Sequence, residues 1–315
     1  MTITQMQYII AIAEHGSFVE ASKHCFVTQP ALTSQVKNLE DELDVILFDR
    51  TKKPVSPTPI GQRIIDQAHE VLMQVRKIPD TIREYKKEVS GDLKLGIIPT
   101  ISPYLIPLFI NYYNETHDDV HISIEEEITE EIITKLKKGE IDAGIIATPI
   151  ESSGLEFIPM YYEKFYGYVS RSHPLYFHSS INKKDLEEED IWLLKEGNCF
   201  RNQVINICNQ NSTPRFRNNF RFESHSIESL KRIVEVREGL TLIPQLSLPL
   251  IKKENTDMVK EIKGIEAYRE VSLVVTRQFL KRGLIMRLKQ SIEENLPETI
   301  LKEKGGLVIQ TNVVV

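Results

Sequence analysis

Three cysteines in 315 residues are too few, and an odd number, for a secreted disulfide framework. Their scarcity points to a chain folded in a reducing compartment, expected to be the cytoplasm, and held by an ordinary core. No CxxC occurs, and His225 is the only histidine between Ile181 and the C-terminus, so a zinc site is not expected. Neither a metal nor a cofactor is expected. A run of about 18 apolar residues is also missing, which excludes a membrane-spanning helix. The opening MTITQMQYIIAIAEHG has no basic leader and only five apolar residues in a row, so a secretory signal and a membrane partner are not expected. Nor is there an excess of positive charge. The 39 basic residues face 45 acidic ones, a net charge of −6 that does not by itself suggest nucleic acid. What remains is ordinary globular composition, 41% hydrophobic and 27% charged, long enough for about two domains.

The first ninety residues carry helical periodicity. Met6, Ile9, Ile10 and Ala13 form one face of a helix that ends at Gly16. Ser17 with Glu20 makes a capping box for SFVEASKH, and after a turn at 25–27 Thr28 can cap a third helix with Pro30 in its first turn. Leu32, Val36, Leu39 and Leu43 are the apolar stripe of that third helix. Its other face holds Gln29, Thr33, Ser34, Gln35 and Lys37. Two short helices joined by a tight turn, the second polar outside, suggest a helix-turn-helix reader. Gln29, Thr33 and Ser34 can hydrogen-bond base edges, with Pro30 in the same DNA-facing set and Lys37 set for phosphate. LFDRTKKPVSPTPIG then suits a β-wing whose Arg50, Lys52 and Lys53 follow the phosphate backbone. A small helical domain with a solvated polar face would look alike, since residues 1–60 hold five basic groups against seven acidic ones.

FVEASKHCFVTQPALTSQVKNLEDELDVILFDRTKKPVSPTPIGQ strongly resembles the N-terminal winged helix-turn-helix of LysR-type transcriptional regulators. The wing ends differently, with Pro57 and Pro59 around Thr58, but Gly61 is kept. The resemblance implies double-stranded promoter DNA as partner and a homo-oligomer, a dimer or a dimer of dimers, with RNA polymerase a further candidate partner. It also implies that residues 61–89, with Ile64, Ile65, Ala68, Val71, Leu72 and Val75 at helical spacing, are a linker helix pairing protomers. Pro79 should break or bend that helix near 78–80.

Beyond Ser90-Gly91 the pattern alternates: DLKLGIIP, PYLIPLFINYYN, VHISIEEE, EEIITKLKKG, IDAGIIA. This is βαβαβ, and hence a mainly parallel sheet covered by helices. A second α/β unit spans about 164–262, and YREVSLVVTR supplies a late strand that returns to the first. The fold class is therefore α/β: a winged helix-turn-helix (1–60), a linker helix (61–89), a sensor (90–300) and a tail (301–315). The resemblance implies that the sensor is two-lobed, like periplasmic binding proteins. Ligands in open parallel sheets bind at the carboxyl ends of strands. Thr100 follows LKLGIIP, Thr129 follows ISIEEEI, and Cys199 follows the strand-like IWLLKEGN. Each threonine reads equally as a helix cap, and Cys25 reads as inert packing.

Cys199 and Cys208 lie nine positions apart. Without metal partners, and in a reducing compartment, they are either two unrelated buried thiols or a redox couple. Local chemistry favours the couple. Cys199 follows a glycine turn, sits near a helix N-terminus and lies two positions from Arg201, which should lower its pKa. A thiolate flanked by threonine hydroxyls can attack a peroxide O–O bond to give a sulfenic acid, which a second thiol resolves to a disulfide.

EGNCFRNQVINIC, Thr100 and SLKRIVEVREGLTLIPQLSLP resemble the peroxide-sensing regulators of the LysR type. That resemblance implies hydrogen peroxide as the signal, with Cys199 as the reacting and Cys208 as the resolving cysteine. It implies that Thr100 and Thr129 contact peroxide, that Arg201 is the motif arginine, and that a cellular thiol reductant resets the switch. Asn198 stands in the ligand-contacting position where the family commonly has His, and Asn202 where it has Asp. Asn198 hydrogen-bonds but cannot titrate. Two other functions fit the same residues: a regulator of this fold that senses a small organic effector, and a thiol peroxidase whose N-terminal part only oligomerises. The expected reading is a regulator, not an enzyme.

Overall fold

The computed structural model describes residues 1–86, 90–188, 191–208, 222–277, 279, 281–303 and 305–313, apart from the side chains of 76, 77, 80, 83, 84, 187 and 188. The chain divides into two compact units, Met1–Lys86 and Lys87–Val315.

In the first unit, α1 (Ile3–His15) starts at a reciprocal capping box between Thr2 and Gln5 and stops at Gly16, whose φ of 59° is left-handed. Helix α2 (Phe18–His24) is capped by Ser17, which accepts the Glu20 N–H, while the Glu20 carboxylate pairs with Lys23. Helix α3 (Gln29–Leu43) buries Leu32, Val36 and Leu39 against α1, each worth roughly 1.5–3 kcal/mol. Thr28 occupies its N-cap position without a side-chain cap bond, contrary to expectation. The wing is a two-residue pair, β1 (Phe48–Asp49) antiparallel to β2 (Ser56–Pro57).

Glu40 closes the segment leading into the wing, since its carboxylate accepts from the N–H groups of Leu47 and Phe48 and from Arg50. Gly61 is required by packing, because a Cβ there would lie 2.0 Å from the Leu47 carbonyl oxygen. Helix α4 (Pro59–Tyr85) starts with proline in its first position and runs through Pro79 without interruption, so no break occurs at 78–80. The rest of the linker span, 87–89, lies outside the described residues.

The second unit begins β3 (Gly91–Ile97), α5 (Ser102–Thr116), β4 (Val120–Glu126), α6 (Thr129–Lys137) and β5 (Ala143–Thr148), the expected βαβαβ order. Next come β6 (Leu155–Val169), β7 (Ser180–Asn182), α7 (Lys183–Glu188), α8 (Cys199–Cys208), α9 (Ile227–Val236), β8 (Leu240–Pro244), β9 (Val259–Lys263) and β10 (Ala267–Thr276). The last elements are α10 (Arg282–Asn295), α11 (Glu298–Leu301) and β11 (Leu307–Val308).

Strand order is β4-β3-β5-β10-β6-β9-β7, with β8 on β6 and β11 on β10. The parallel expectation holds for β4-β3-β5. Beyond β5 it does not: β10 runs antiparallel to β5 and β6, and β6 antiparallel to β8 and β9. Strand β6 belongs to both lobes, its first part paired with β10 and its last residues with β8 and β9. Strand β10 returns to the first lobe as expected. Residues 191–198 are not a strand, since only Ile191 bridges, to Leu240. Among the described residues no helix is long and apolar enough to cross a membrane.

Candidate functional site

The carboxyl ends of β3 and β4 deliver Thr100 and Thr129, each 1% exposed. Neither acts as a cap, because Ile101 and Ile128 hold the cap positions of α5 and α6. Both hydroxyls are used sideways instead. Thr129 Oγ1 lies 2.9 Å from the Cys199 sulfur. Thr100 Oγ1 accepts from Arg269 Nη2 at 2.5 Å, and the Thr100 carbonyl accepts from Nη1 at 3.2 Å.

Cys199 opens α8 just after Gly197, whose φ of +89° gives the turn a conformation that favours glycine. Asn198, buried before it, donates from Nδ2 to the Lys195 carbonyl at 2.7 Å and meets His225 Nδ1 at 2.8 Å. An amide nitrogen can only donate, so Nδ1 is the acceptor of that bond. An imidazole thus reaches this position from a distant segment, although residue 198 is not histidine. No local spacing signals that.

The sequence placed Arg201 as the cation acting on the sulfur. Arg201 is buried and donates Nη1 to the Leu194 carbonyl at 2.9 Å, bracing the turn that carries Cys199. The cation that favours the thiolate is Arg269, seventy positions away on β10. It is fully buried and pairs with the equally buried Glu163 at 3.4 Å. Its guanidinium lies 5.2 Å from the centre of the Phe200 ring, and its Nε–H has no hydrogen-bond partner among the described residues. Glu163 also accepts the Leu246 N–H, yet burial still pushes its carboxyl above the usual range against the pull of Arg269. The only sequence signal for Arg269 was a cation inside a strand-forming run.

The expectation of a lowered cysteine pKa is also corrected. Burial pushes the Cys199 thiol up, and the Thr129 hydrogen bond and the Arg269 charge offset only part of that. Spacing along the chain carries no information about desolvation, and Cys199 is 2% exposed.

Cys208 ends the same helix, 1% exposed, and neither cysteine is in a disulfide. Nine steps of helix at about 1.5 Å each separate them by about 13.5 Å, against a limit of roughly 7 Å between the Cα atoms of a disulfide. Cys25 is half-buried in the first unit's core, and burial, then Glu14, push its thiol up, as suits inert packing. Among the described residues no group of histidine, cysteine and acidic side chains could hold a metal.

In the first unit Gln29, Pro30, Ser34 and Lys37 are exposed on α3, with Thr33 half-buried and accepting from Gln29 Nε2 at 3.0 Å. Lys52 and Lys53 are exposed at the wing, where Lys52 pairs loosely with Asp49. Arg50 is engaged internally, 2.7 Å from Glu40 and stacked over Phe18.

Residues 3–62 match the family model for the bacterial regulatory helix-turn-helix protein, lysR family, and residues 86–296 match that for the LysR substrate binding domain. The chain is 32% identical over 248 residues to a hydrogen peroxide-inducible genes activator of Haemophilus influenzae, covering 79% of this chain and 81% of that one. It is 31% identical to the DNA-binding transcriptional dual regulator OxyR of Escherichia coli, covering 87% and 89%. Among solved structures it resembles a variant of full-length OxyR from Pseudomonas aeruginosa, with 32% identity, a TM-score of 0.74 and coverage of 94% and 99%.

Proposed function

This chain belongs to the LysR family of bacterial helix-turn-helix regulators, and on that premise we propose that it is a peroxide-responsive transcription regulator switched by oxidation of Cys199. The observation that carries this reading is the buried cluster in which the Cys199 sulfur meets Thr129 beside Thr100 and Arg269. The names of the relatives point to the same signal.

The thiolate attacks one peroxide oxygen. An S–O bond forms as the O–O bond breaks, and hydroxide leaves with the electron pair. Thr100 and Thr129 hold the two oxygens, and the unpartnered Nε–H of Arg269 offers a further donor to the developing negative charge. Asn198, held by His225, and Arg201 fix the turn from which Cys199 projects. Cys208 then attacks the sulfenic sulfur, water leaves, and the disulfide stores the signal until a thiol reductant opens it. The protein stops after one equivalent of peroxide, as a sensor does and an enzyme does not.

Residues 1–60 read promoter DNA in the cytoplasm through Gln29, Pro30, Thr33 and Ser34, with Lys37, Lys52 and Lys53 on phosphates and Arg50 bracing the wing's start. The linker, 61–89, joins protomers. Val71, Ile78, Ile82 and Tyr85 leave large apolar surface exposed on α4 at spacings of seven, four and three, one stripe of a helix awaiting a partner. Residues 90–300 are the sensor, acting through a homo-oligomer and RNA polymerase. Mass spectrometry after one equivalent of hydrogen peroxide tests the reading. A Cys199–Cys208 crosslink is the expected product, and peroxide left unconsumed with both thiols free overturns it.

A further inference from the structure

The described part of the C-terminal tail does not trail away from the second unit. It enters the sheet as β11, parallel to β10, and then lies along α8. Three successive tail carbonyls are each taken by a side-chain amide of that helix. Gln203 Nε2 donates to Ile309 O at 2.9 Å, Asn206 Nδ2 to Gln310 O at 2.9 Å, and Asn202 Nδ2 to Thr311 O at 2.8 Å. Asn312 donates back to Asn206 at 3.2 Å, and Thr311, fully buried, anchors its hydroxyl on the Pro149 carbonyl at 2.6 Å.

The three amides project from positions 202, 203 and 206, all between the two cysteines. They meet three carbonyls of an extended segment only while the helix holds its one-turn spacing. Bringing Cys208 to Cys199 requires that turn to unwind, which separates all three pairs at once. Asn202 carries weight here. A carboxylate at this position would accept but could not donate, and would face the Thr311 carbonyl with its lone pairs.

We propose that the C-terminal tail is a latch on the redox helix, holding α8 wound so that disulfide formation waits on its release. The latch rests on the redox reading above. It acts after the chemistry on Cys199, because none of its contacts touches the sulfur or the threonines. The sulfenic acid therefore forms at the rate set by the cleft, and the latch sets how soon Cys208 reaches it. A tuned delay of this kind raises the dose of peroxide needed to lock the switch, because a reductant has longer to remove the sulfenic acid.

The test uses the full chain in four forms: wild type, a truncation after Gly306, Asn202→Asp/Asn206→Asp, and the truncation combined with the double substitution. Stopped-flow peroxide consumption reads sulfenic acid formation, and quenched mass spectrometry reads the crosslink. Sulfenic acid should form at the wild-type rate in all four. Crosslinking should speed up about tenfold or more in each of the three variants, the scale set by losing two or three amide–carbonyl bonds. In the truncated background the two substitutions should add nothing, because their partner is gone. Hydrogen exchange of 200–207 should rise in the variants while that of α9 stays as in wild type, which separates latch loss from general unfolding. Crosslinking at the wild-type rate in all three variants overturns the latch and leaves the redox reading standing, as does a substitution effect that persists without the tail. Absence of any crosslink in wild type overturns both.

Discussion

Replacing Arg269 by methionine removes one charge from two buried partners at once, so it should appear in two independent measurements. The first is stability. Arg269 and Glu163 are each 1% exposed and 3.4 Å apart, and breaking such a pair from one side typically costs about 3–5 kcal/mol. Glu163 can limit that cost by taking a proton. Its carboxyl is already pushed up by burial in the presence of Arg269, and without the guanidinium it rises further. A carboxyl whose folded-state pKa is raised contributes stability that is fully present below its unfolded value, about 4.3, and is lost as pH rises through the folded value. Arg269→Met should therefore keep losing stability with rising pH over a wider interval above about 4.3 than wild type does, by up to roughly 1.4 kcal/mol per pH unit until the folded pKa is passed. Adding Glu163→Gln should flatten the pH dependence and recover much of the loss. The second measurement is the rate of Cys199 oxidation. Arg269 pulls the thiol down against burial, so its loss should raise the thiol further, and each pKa unit lowers the thiolate population about tenfold. Urea unfolding across that pH range and stopped-flow oxidation read the two effects. A variant of wild-type stability, or one that is destabilised but oxidises at the wild-type rate, would refute the place given to Arg269.

The raised Cys199 pKa makes thiolate the minor form near neutrality, so the oxidation rate should climb about tenfold per pH unit between about pH 6 and 8, and a plateau in that range would mean a stabilised thiolate. Thr129→Val should slow oxidation of Cys199 more than Thr100→Val, whose oxygen already serves Arg269, while neither should alter DNA binding by the reduced protein; oxidation at the wild-type rate in both would end their role at peroxide. Replacing Lys52 or Lys53 should weaken binding to all DNA sequences and flatten its salt dependence, whereas Gln29 and Ser34 variants should shift the preferred site; fluorescence titration at several salt concentrations distinguishes these patterns. Arg50→Ala should instead cost up to about 1 kcal/mol of stability in the first unit by releasing Glu40, seen as a lower unfolding midpoint; an unchanged midpoint would make the Glu40 contact incidental.

What was legible in the sequence was local or periodic. The helices of the reader announce themselves through Gly16, Ser17, Pro30 and the Leu32–Val36–Leu39 stripe, because caps and a 3.6-residue period act within a few positions. Strands β3, β4 and β5 were legible for the same reason. Their neighbours were not, since the antiparallel pairing of β10 with β6 depends on contacts more than a hundred positions apart. The site divides the same way. Cys199, Cys208 and the two threonines carry motif signals, and the structure brings Cys199 and Thr129 into contact. Arg269, Glu163 and His225 reach it from other elements with no spacing to betray them. Arg201 is near the sulfur in sequence, but its side chain turns to the Leu194 carbonyl. The uninterrupted α4 across Pro79 and the bonding of the tail along α8 likewise follow from contacts, not from local propensity.

The most direct test of the proposed switch is backbone hydrogen exchange over 199–208 in one sample, before and after one equivalent of hydrogen peroxide, with the crosslink checked by mass spectrometry. In the reduced protein the segment is one helix with its ends about 13.5 Å apart. Formation of the Cys199–Cys208 disulfide should abolish protection across 200–207, and a thiol reductant should restore it. A crosslinked protein that keeps the protection pattern of the reduced one would contradict the switch, even with the disulfide present.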